Sequence, residues 1–136
     1  MYRLPQEPST ARVSIWRKLK RLGAIAIQDA VWVLPDAPWP RDHLTWVAAE
    51  VVELNGEAML WEGRIAQGQE QGLVSQFVER VETEYRRILD ELGQDGADIR
   101  ALSRRYQLAQ QRDYFHSGLA GRVRQALVEA GGARKR

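Results

Sequence analysis

At 136 residues, the chain is long enough for one domain with a buried core, and its 44% hydrophobic content predicts a folded globule rather than disorder. It contains no cysteine, which excludes a disulfide framework, thiolate metal sites and thiol catalysis. It also lacks a long uncharged apolar run and the apolar centre of a signal peptide, so we expect a soluble, cytoplasmic protein without a membrane partner.

Charge is distributed unevenly along the chain, although the formal net charge is only +2. Residues 1–24 carry six basic and one acidic side chains, residues 25–96 carry five and fourteen, and residues 97–136 carry nine and three. Two basic ends therefore flank an acidic middle, which indicates a polyanionic partner. The alternative is that segments of opposite charge neutralise each other within the fold.

The first predicted helix follows a short strand that ends near Pro5. Ser9 and Thr10 favour an N-cap and Gly23 favours a stop, so we expect a helix over residues 11–22. At ~100° per residue, one face of this helix is predicted to enter the core through Ile15, Trp16, Leu19 and Leu22. The opposite face is basic and carries Arg17, Lys18, Lys20 and Arg21.

Strand and helix signals alternate in the next part of the chain. Residues 24–34 predict a strand, and Gln28-Asp29 leaves open whether it is a hairpin or a bent strand. Residues 35–40 predict a turn-rich connection, residues 41–54 a helix, and residues 57–65 a strand. Among the five tryptophans, we expect three in the core (Trp16, Trp32 and Trp61) and two at an exposed edge (Trp39 and Trp46).

The remaining residues predict helices. Apolar residues recur at spacings of three and four from Val74 to Leu92, Asp98 is placed to cap a following helix, and a last helix is expected over residues 119–130. The element order suits an α+β fold, a ferredoxin-like sandwich with additional C-terminal helices. We expect residues 1–66 to form the ferredoxin-like core, 67–130 the helical part of the same domain, and 131–136 a disordered basic tail.

The basic face of the first helix is the best candidate for binding. Arg17, Lys18, Lys20 and Arg21 lie within five positions, and no acidic residue occurs from Ser9 to Arg21, whereas helices usually interleave opposite charges. Such a face predicts contacts with nucleic-acid phosphates; the alternative is an ordinary solvated basic face. Arg12 is expected to project toward Trp16 and to stack there or pair with Asp29.

A second basic cluster contains arginines alone, which suits bidentate contacts with an oxyanion or a phosphate; it comprises Arg100, Arg104, Arg105 and Arg112, followed by Arg122 and Arg124. Arg104, Arg105 and Arg112 are its candidates for oxyanion binding. Ion pairing with the acidic residues between Glu79 and Glu91 is an equally good interpretation. For Asp113 we expect a salt bridge to a neighbouring arginine.

Catalytic motifs are absent from the sequence. His43 and His116 have no paired ligand spacing, and there is no G-x-S-x-G, Walker or G-x-G-x-x-G motif. We therefore expect neither an enzyme nor a metal site or cofactor.

The run from Tyr2 to Pro35 resembles the N-terminal domain family of the chromate resistance protein ChrB. The matching features are an LP-x-x-x-S turn, an R-V-x-x-W-R-x-L-K-x-L-G-A helix and a strand ending in V-x-x-L-P. Arg104-Arg105-Tyr106 and the segment from Arg112 to Phe115 look like the later helices of that domain. A weaker likeness extends to PaaX-type repressors and, in fold, to small CRISPR-associated nucleases.

The resemblance implies a transcription regulator of chromate resistance that binds promoter DNA, with chromate as a further candidate partner and a homodimer left open. Family members have more apolar residues before the position of Met1, which predicts an incomplete first strand. They also continue into a second domain credited with sensing chromate, so we expect DNA binding here with sensing either absent or provided by the arginine cluster. One alternative is an oxyanion-binding accessory protein; a nuclease is disfavoured because residues 2–4 offer no acidic residue.

Overall fold

The computed structural model describes residues 1–5, 9–28, 30–66 and 68–134. It divides the chain into two compact units, which we call unit 1 (Met1–Ile65) and unit 2 (Ala66–Arg136). Unit 1 combines strands and helices and unit 2 is helical, so the fold class is α+β with C-terminal helices, as predicted. The elements of unit 1 are β1 (Tyr2–Arg3), α1 (Ser9–Leu22), β2 (Ile25–Gln28), β3 (Val31–Val33), α2 (Pro38–Glu53) and β4 (Glu57–Ala58).

The described strands form two separate antiparallel pairs. β1 pairs with β4, with Tyr2 opposite Ala58, and β2 pairs with β3 as a hairpin that contains an irregularity between Ala26 and Gln28. Of the two alternatives predicted for residues 24–34, a hairpin and a bent strand, the structure shows the hairpin. Its turn includes Ala30 at a φ of 61°, and the Ala30 carbonyl accepts a hydrogen bond from the Tyr2 N–H. The ferredoxin-like arrangement of these strands stays a prediction.

The strand predicted over residues 57–65 is wrong beyond its first two residues. Only Glu57–Ala58 pairs with another strand in the described part of the chain. The alternation of apolar residues that suggested a longer strand does not correspond to a buried face, because Met59 and Trp61 are both more than half exposed. Beyond Ala58, the Met59 N–H donates a hydrogen bond to the Met1 carbonyl at 2.8 Å, and an exposed ion pair joins Glu62 to Arg41 of α2 at 3.1 Å.

α1 and α2 both end in hydrogen-bonded caps that explain where they stop. In α1, Gly23 has a φ of 82°, and the N–H groups of Gly23 and Ala24 donate to the carbonyls of Lys20 and Leu19. This is the Schellman pattern, which satisfies the last carbonyls of a helix. In α2, Asn55 takes the left-handed position at a φ of 67°, and Gly56 N–H donates to Val51 O.

α2 begins three residues earlier than predicted, at Pro38 rather than Arg41. The two prolines of this turn predicted a loop between β3 and α2. In the first turn of a helix, however, the backbone N–H has no carbonyl partner within the helix, so a proline is tolerated there. Pro40 is buried, and Trp39 becomes a helical residue. This places Trp39, His43 and Trp46 on one helix.

The core of unit 1 lies between α1, α2 and the strands. Ile15, Leu19, Ala24 and Val51 are at most 2% exposed. Partly buried apolar residues surround them: Tyr2, Leu4, Trp32, Leu34, Leu44, Val47, Leu54 and Ala58. Trp32 therefore contacts the core as predicted.

The described residues of unit 2 form three helices: α3 (Glu70–Leu92), α4 (Ile99–Arg112) and α5 (Leu119–Arg134). Asp98 caps α4, as predicted, by accepting a hydrogen bond from Ala101 N–H at 3.2 Å. α5 continues past the predicted end at residue 130 through two glycines, and residues 135–136 of the predicted tail lie outside the described residues. One core joins the three helices through Val81, Tyr85, Ile88, Leu102, Tyr106, Ala109, Val123 and Leu127.

Gly56 provides a direct test of the packing in unit 1. A methyl group at Gly56 would overlap the Arg3 carbonyl oxygen and lie 2.7 Å from Leu4 Cδ2, whereas one at Gly63 would meet nothing within 4 Å. We expect Gly56→Ala to lower the free energy of unfolding by about 1–3 kcal/mol, the usual cost of overpacking, measured by urea denaturation. Gly63→Ala is the matched control and should change it by less than about 0.5 kcal/mol. Equal midpoints for the two variants would contradict this packing.

Candidate nucleic-acid interface

α1 buries one narrow stripe and exposes the rest of its surface. Ile15, Leu19 and Leu22 are at most 6% exposed. The exposed residues form a continuous arc on the other side, because they follow one another at helical spacing. We call this arc the α1 outer face; it consists of Arg12, Val13, Trp16, Arg17, Lys20 and Arg21. Three of the four predicted phosphate-binding cations therefore lie together on it.

Lys18, the fourth predicted cation, lies at the edge of this face and is partly buried. Its ammonium group forms an ion pair with Glu50 of α2, and the two side chains are 42% and 29% exposed. A cation that already has a carboxylate partner contributes less positive potential than a free one, since a bound phosphate would have to compete with that partner. Lys18 thus differs from Arg17, Lys20 and Arg21, which are exposed, because it is partly buried and paired with Glu50.

Trp16 is exposed, and its prediction as a core residue is wrong. The side chain is 49% exposed, because a residue next to Ile15 is rotated by ~100° from it and so falls outside the narrow buried stripe. Lys20 Nζ lies 5.3 Å from the centre of the Trp16 ring, which is within the range of a cation–π contact. Arg12 is also exposed rather than anchored to the core; its expected partner Asp29 lies outside the described residues.

The charges of the α1 outer face are not neutralised within the described part of the chain. Arg17 and Arg21 are one turn apart, so they repel each other, and neither forms an ion pair with any described residue. Lys20 and Arg21 occupy the last turn, where cations also favour the negative end of the helix dipole. The face can therefore accept a polyanion, and binding would relieve the repulsion.

The arginines of α4 differ in their surroundings. Arg105 lies against α3 and pairs with Glu84, at 2.9 Å, and with Glu91. The hydrogen bonds that Arg105 donates to these two carboxylates raise its pKa. Arg104 is exposed, and Arg112 follows Arg105 by two helical turns, a rise of ~10 Å. For Arg105, the interpretation as an intrachain ion pair is therefore the one that the structure shows.

Asp113 is buried, but the expected salt bridge to a neighbouring arginine is not present among the described residues. Its carboxylate accepts hydrogen bonds from the Tyr85 hydroxyl at 2.9 Å and from the Ser117 N–H at 2.9 Å. Burial and the bond to Asp113 raise the pKa of Tyr85 well above its ordinary value, and burial raises the pKa of Tyr114 to about 12. Asp113 thus joins α3 to the start of α5 as a structural residue.

Sequence reasoning missed one arrangement on α2. The rings of Trp39 and His43 are 4.1 Å apart and those of His43 and Trp46 are 5.0 Å apart. The signal was present as aromatic residues at positions i, i+4 and i+7, which share a helix face. Both tryptophans are exposed, as predicted, at 39% and 66%.

The described residues contain no group of three histidine or acidic side chains placed to hold a metal ion. No helix in the same part of the chain combines the length and the apolar character needed to span a membrane.

Comparison with known proteins gives one consistent family. Residues 12–110 match the family model described as Protein ChrB, N-terminal. Protein ChrB of Cupriavidus metallidurans is 30% identical over 111 residues, which cover 76% of this chain and 34% of that protein. The chain therefore spans about a third of the length of this curated relative. No solved structure matches it significantly.

The two neighbouring arginines of α4 should differ in their effect on stability. We expect Arg105→Met to lower the free energy of unfolding by up to about 1 kcal/mol, because losing the guanidinium breaks the ion pairs with both Glu84 and Glu91. Arg104→Met should change it by less than about 0.5 kcal/mol, since Arg104 is exposed. Thermal denaturation of the two variants makes the comparison, and a larger loss for Arg104→Met would contradict the assignment.

Proposed function

The chain belongs to the family of the N-terminal domain of protein ChrB, and on this premise we propose that it is a DNA-binding regulator of chromate resistance that acts in the cytoplasm. The family relates to the regulation of chromate resistance. The observation that carries the DNA-binding part is the α1 outer face, on which four exposed cations lie together without an acidic residue on the helix. The protein acts by binding rather than by catalysis.

The proposed contact is between the cations of α1 and DNA phosphates. Arg17 and Arg21 point into solvent one turn apart, which allows both guanidinium groups to donate to phosphate oxygens of one strand. Lys20 lies beside them and adds a third positive charge. Contacts of this kind position a protein on DNA and release bound counterions, so they make affinity strongly dependent on salt.

Lys18 has a different role in this proposal. Its ion pair with Glu50 ties α1 to α2 and holds the outer face in place. Lys18 therefore fixes the orientation of α1 through Glu50 and does not contact phosphate itself.

A salt series tests the phosphate contact. We expect affinity for DNA upstream of the protein's own gene to fall steeply with salt, and Arg17→Ala with Arg21→Ala to reduce the slope of log K against log salt by about 2, since each contact contributes about 0.9. Fluorescence anisotropy of a labelled duplex gives the affinities. Arg122→Ala with Arg124→Ala, which removes two exposed arginines of α5, is the matched control and should leave the slope unchanged.

Three outcomes of this series are informative. An unchanged slope in the α1 variant would contradict phosphate contact by the α1 outer face. A larger loss in the α5 control would place the DNA elsewhere. Lys18→Ala should reduce the slope by less than either Arg17→Ala or Arg21→Ala alone, because its charge is already paired with Glu50.

The second candidate is an oxyanion-binding accessory protein that uses Arg104, Arg105 and Arg112. One observation favours it: Arg112 Nε is buried without a hydrogen-bond partner among the described residues. Two observations weigh against it, the pairing of Arg105 with Glu84 and Glu91 and the separation of the three side chains along α4. Calorimetric titration with chromate distinguishes the candidates, since this one requires heat of binding that Arg112→Met abolishes.

A further inference from the structure

Two large apolar side chains lie within the basic α1 outer face. Val13 is 44% exposed and Trp16 is 49% exposed, although the large apolar residues of a helix usually contribute through burial. Contacts with phosphate groups use cations and hydrogen-bond donors, so they do not explain why these two side chains face solvent. Val13 and Trp16 are therefore available for a contact of a different kind on the same face.

The residues of the α1 outer face follow a definite order around the helix. With Trp16 taken as zero and ~100° per residue, Arg12 lies at about −40° and Val13 at about +60°. Arg17 and Arg21 lie further round, at about +100° and +140°. The face thus carries arginine at both of its edges, and the apolar side chains lie between them.

Lys20 limits what the indole of Trp16 can contact. The Lys20 ammonium group lies over the Trp16 ring, 5.3 Å from its centre, and so covers one face of the ring. Stacking of a nucleic-acid base requires an open ring face, whereas the rest of the exposed indole offers apolar surface. The contact also restricts the ring before a partner arrives, which lowers the entropy lost on binding.

We propose that α1 enters the major groove of duplex DNA, where Val13 and Trp16 contact the 5-methyl groups of thymine. Arg12 on one edge, and Arg17 and Arg21 on the other, would bind the phosphates of the two strands. The inference rests on the proposed function, because it assigns base contacts to the face that binds phosphate. The major groove is ~12 Å wide and admits an α-helix, and the thymine methyl is the apolar group that base edges present there.

The same face fits a membrane surface or a second copy of the chain less well. A helix that lies on a membrane needs a free apolar face, but the apolar stripe of α1 (Ile15, Leu19 and Leu22) is buried in unit 1. Two copies that met through their α1 outer faces would bring cations against cations. A DNA duplex offers negative charge at both edges of its groove and apolar methyl groups between them.

The thymine methyl group can be removed from DNA without changing the charge of the duplex. The duplex upstream of the protein's own gene is compared with a copy in which deoxyuridine replaces every thymidine, using the full chain, low salt and fluorescence anisotropy. We expect the wild-type protein to bind the uracil copy about fourfold less tightly for each methyl group contacted, which corresponds to ~0.8 kcal/mol per buried carbon group.

Val13→Ala with Trp16→Ala should bind the two duplexes within about 1.5-fold of each other and keep the wild-type slope of log K against log salt, since every cation remains. A retained slope also shows that the variant is folded. Trp46→Ala with Val52→Ala is the matched control, because Trp46 and Val52 are 66% and 60% exposed on α2. This control should retain the preference for thymine.

The arginine variants should have the opposite effect. Arg17→Ala with Arg21→Ala should lower the salt slope and leave the ratio of the thymine and uracil affinities unchanged. Arg12→Ala should lower the slope by about 0.9 on its own, because it removes a contact with the other strand. An unchanged slope for Arg12→Ala would contradict the contact at both edges of the groove.

Equal affinity of the wild-type protein for the two duplexes would overturn the inference, and so would a thymine preference that survives Val13→Ala with Trp16→Ala. Binding to phosphatidylglycerol vesicles that Trp16→Ala abolishes would assign the face to a membrane and overturn it as well. In each case, a salt slope that depends on Arg17 and Arg21 leaves the proposed function standing. Absence of salt-dependent duplex binding would instead refute the proposed function itself.

Discussion

Burial of Ile15, Leu19 and Leu22 sets the rotation of α1 about its axis, and the surface of unit 1 depends on that rotation. Ile15 and Leu19 belong to one buried cluster with Val51 of α2, so the opposite side of α1 must face solvent. A rotation by one residue, ~100°, would bring Trp16 into the core and turn Arg17 away from its present direction. The ion pair between α1 and α2 reinforces the same orientation. The direction of the basic outer face thus follows from a narrow buried stripe that consists of these three apolar residues.

Local signals in the sequence were sufficient for several features. The caps at Gly23 and Asp98 act through backbone and side-chain groups within a few residues, and such short-range chemistry can be read directly from the order of residues. The outward direction of Arg17, Lys20 and Arg21 also followed from the helical period. In each case the deciding contact lies within one helix.

Features that depend on distant partners could not be predicted in the same way. The helical period places Trp16 on the same face as Ile15 and Leu19, but the width of the buried stripe is set by α2, which the helical period of α1 does not report. Asp113 was paired with a nearby arginine, whereas its partner Tyr85 is 28 residues away on α3. The ion pair that separates Lys18 from the other cations likewise joins residues 32 positions apart. The sequence therefore suggests the candidate surface, and packing shows which of its cations are exposed and which one is paired.

Amide chemical-shift perturbation in NMR tests most directly whether the α1 outer face contacts DNA. A short duplex is added to the labelled chain at low salt, and the shifts are mapped along the sequence. We expect shifts concentrated in residues 12–22, with smaller ones near Glu50, and their reversal when salt is added. Shifts confined to α4 and α5, or no shifts at duplex concentrations well above those of the protein, would contradict it.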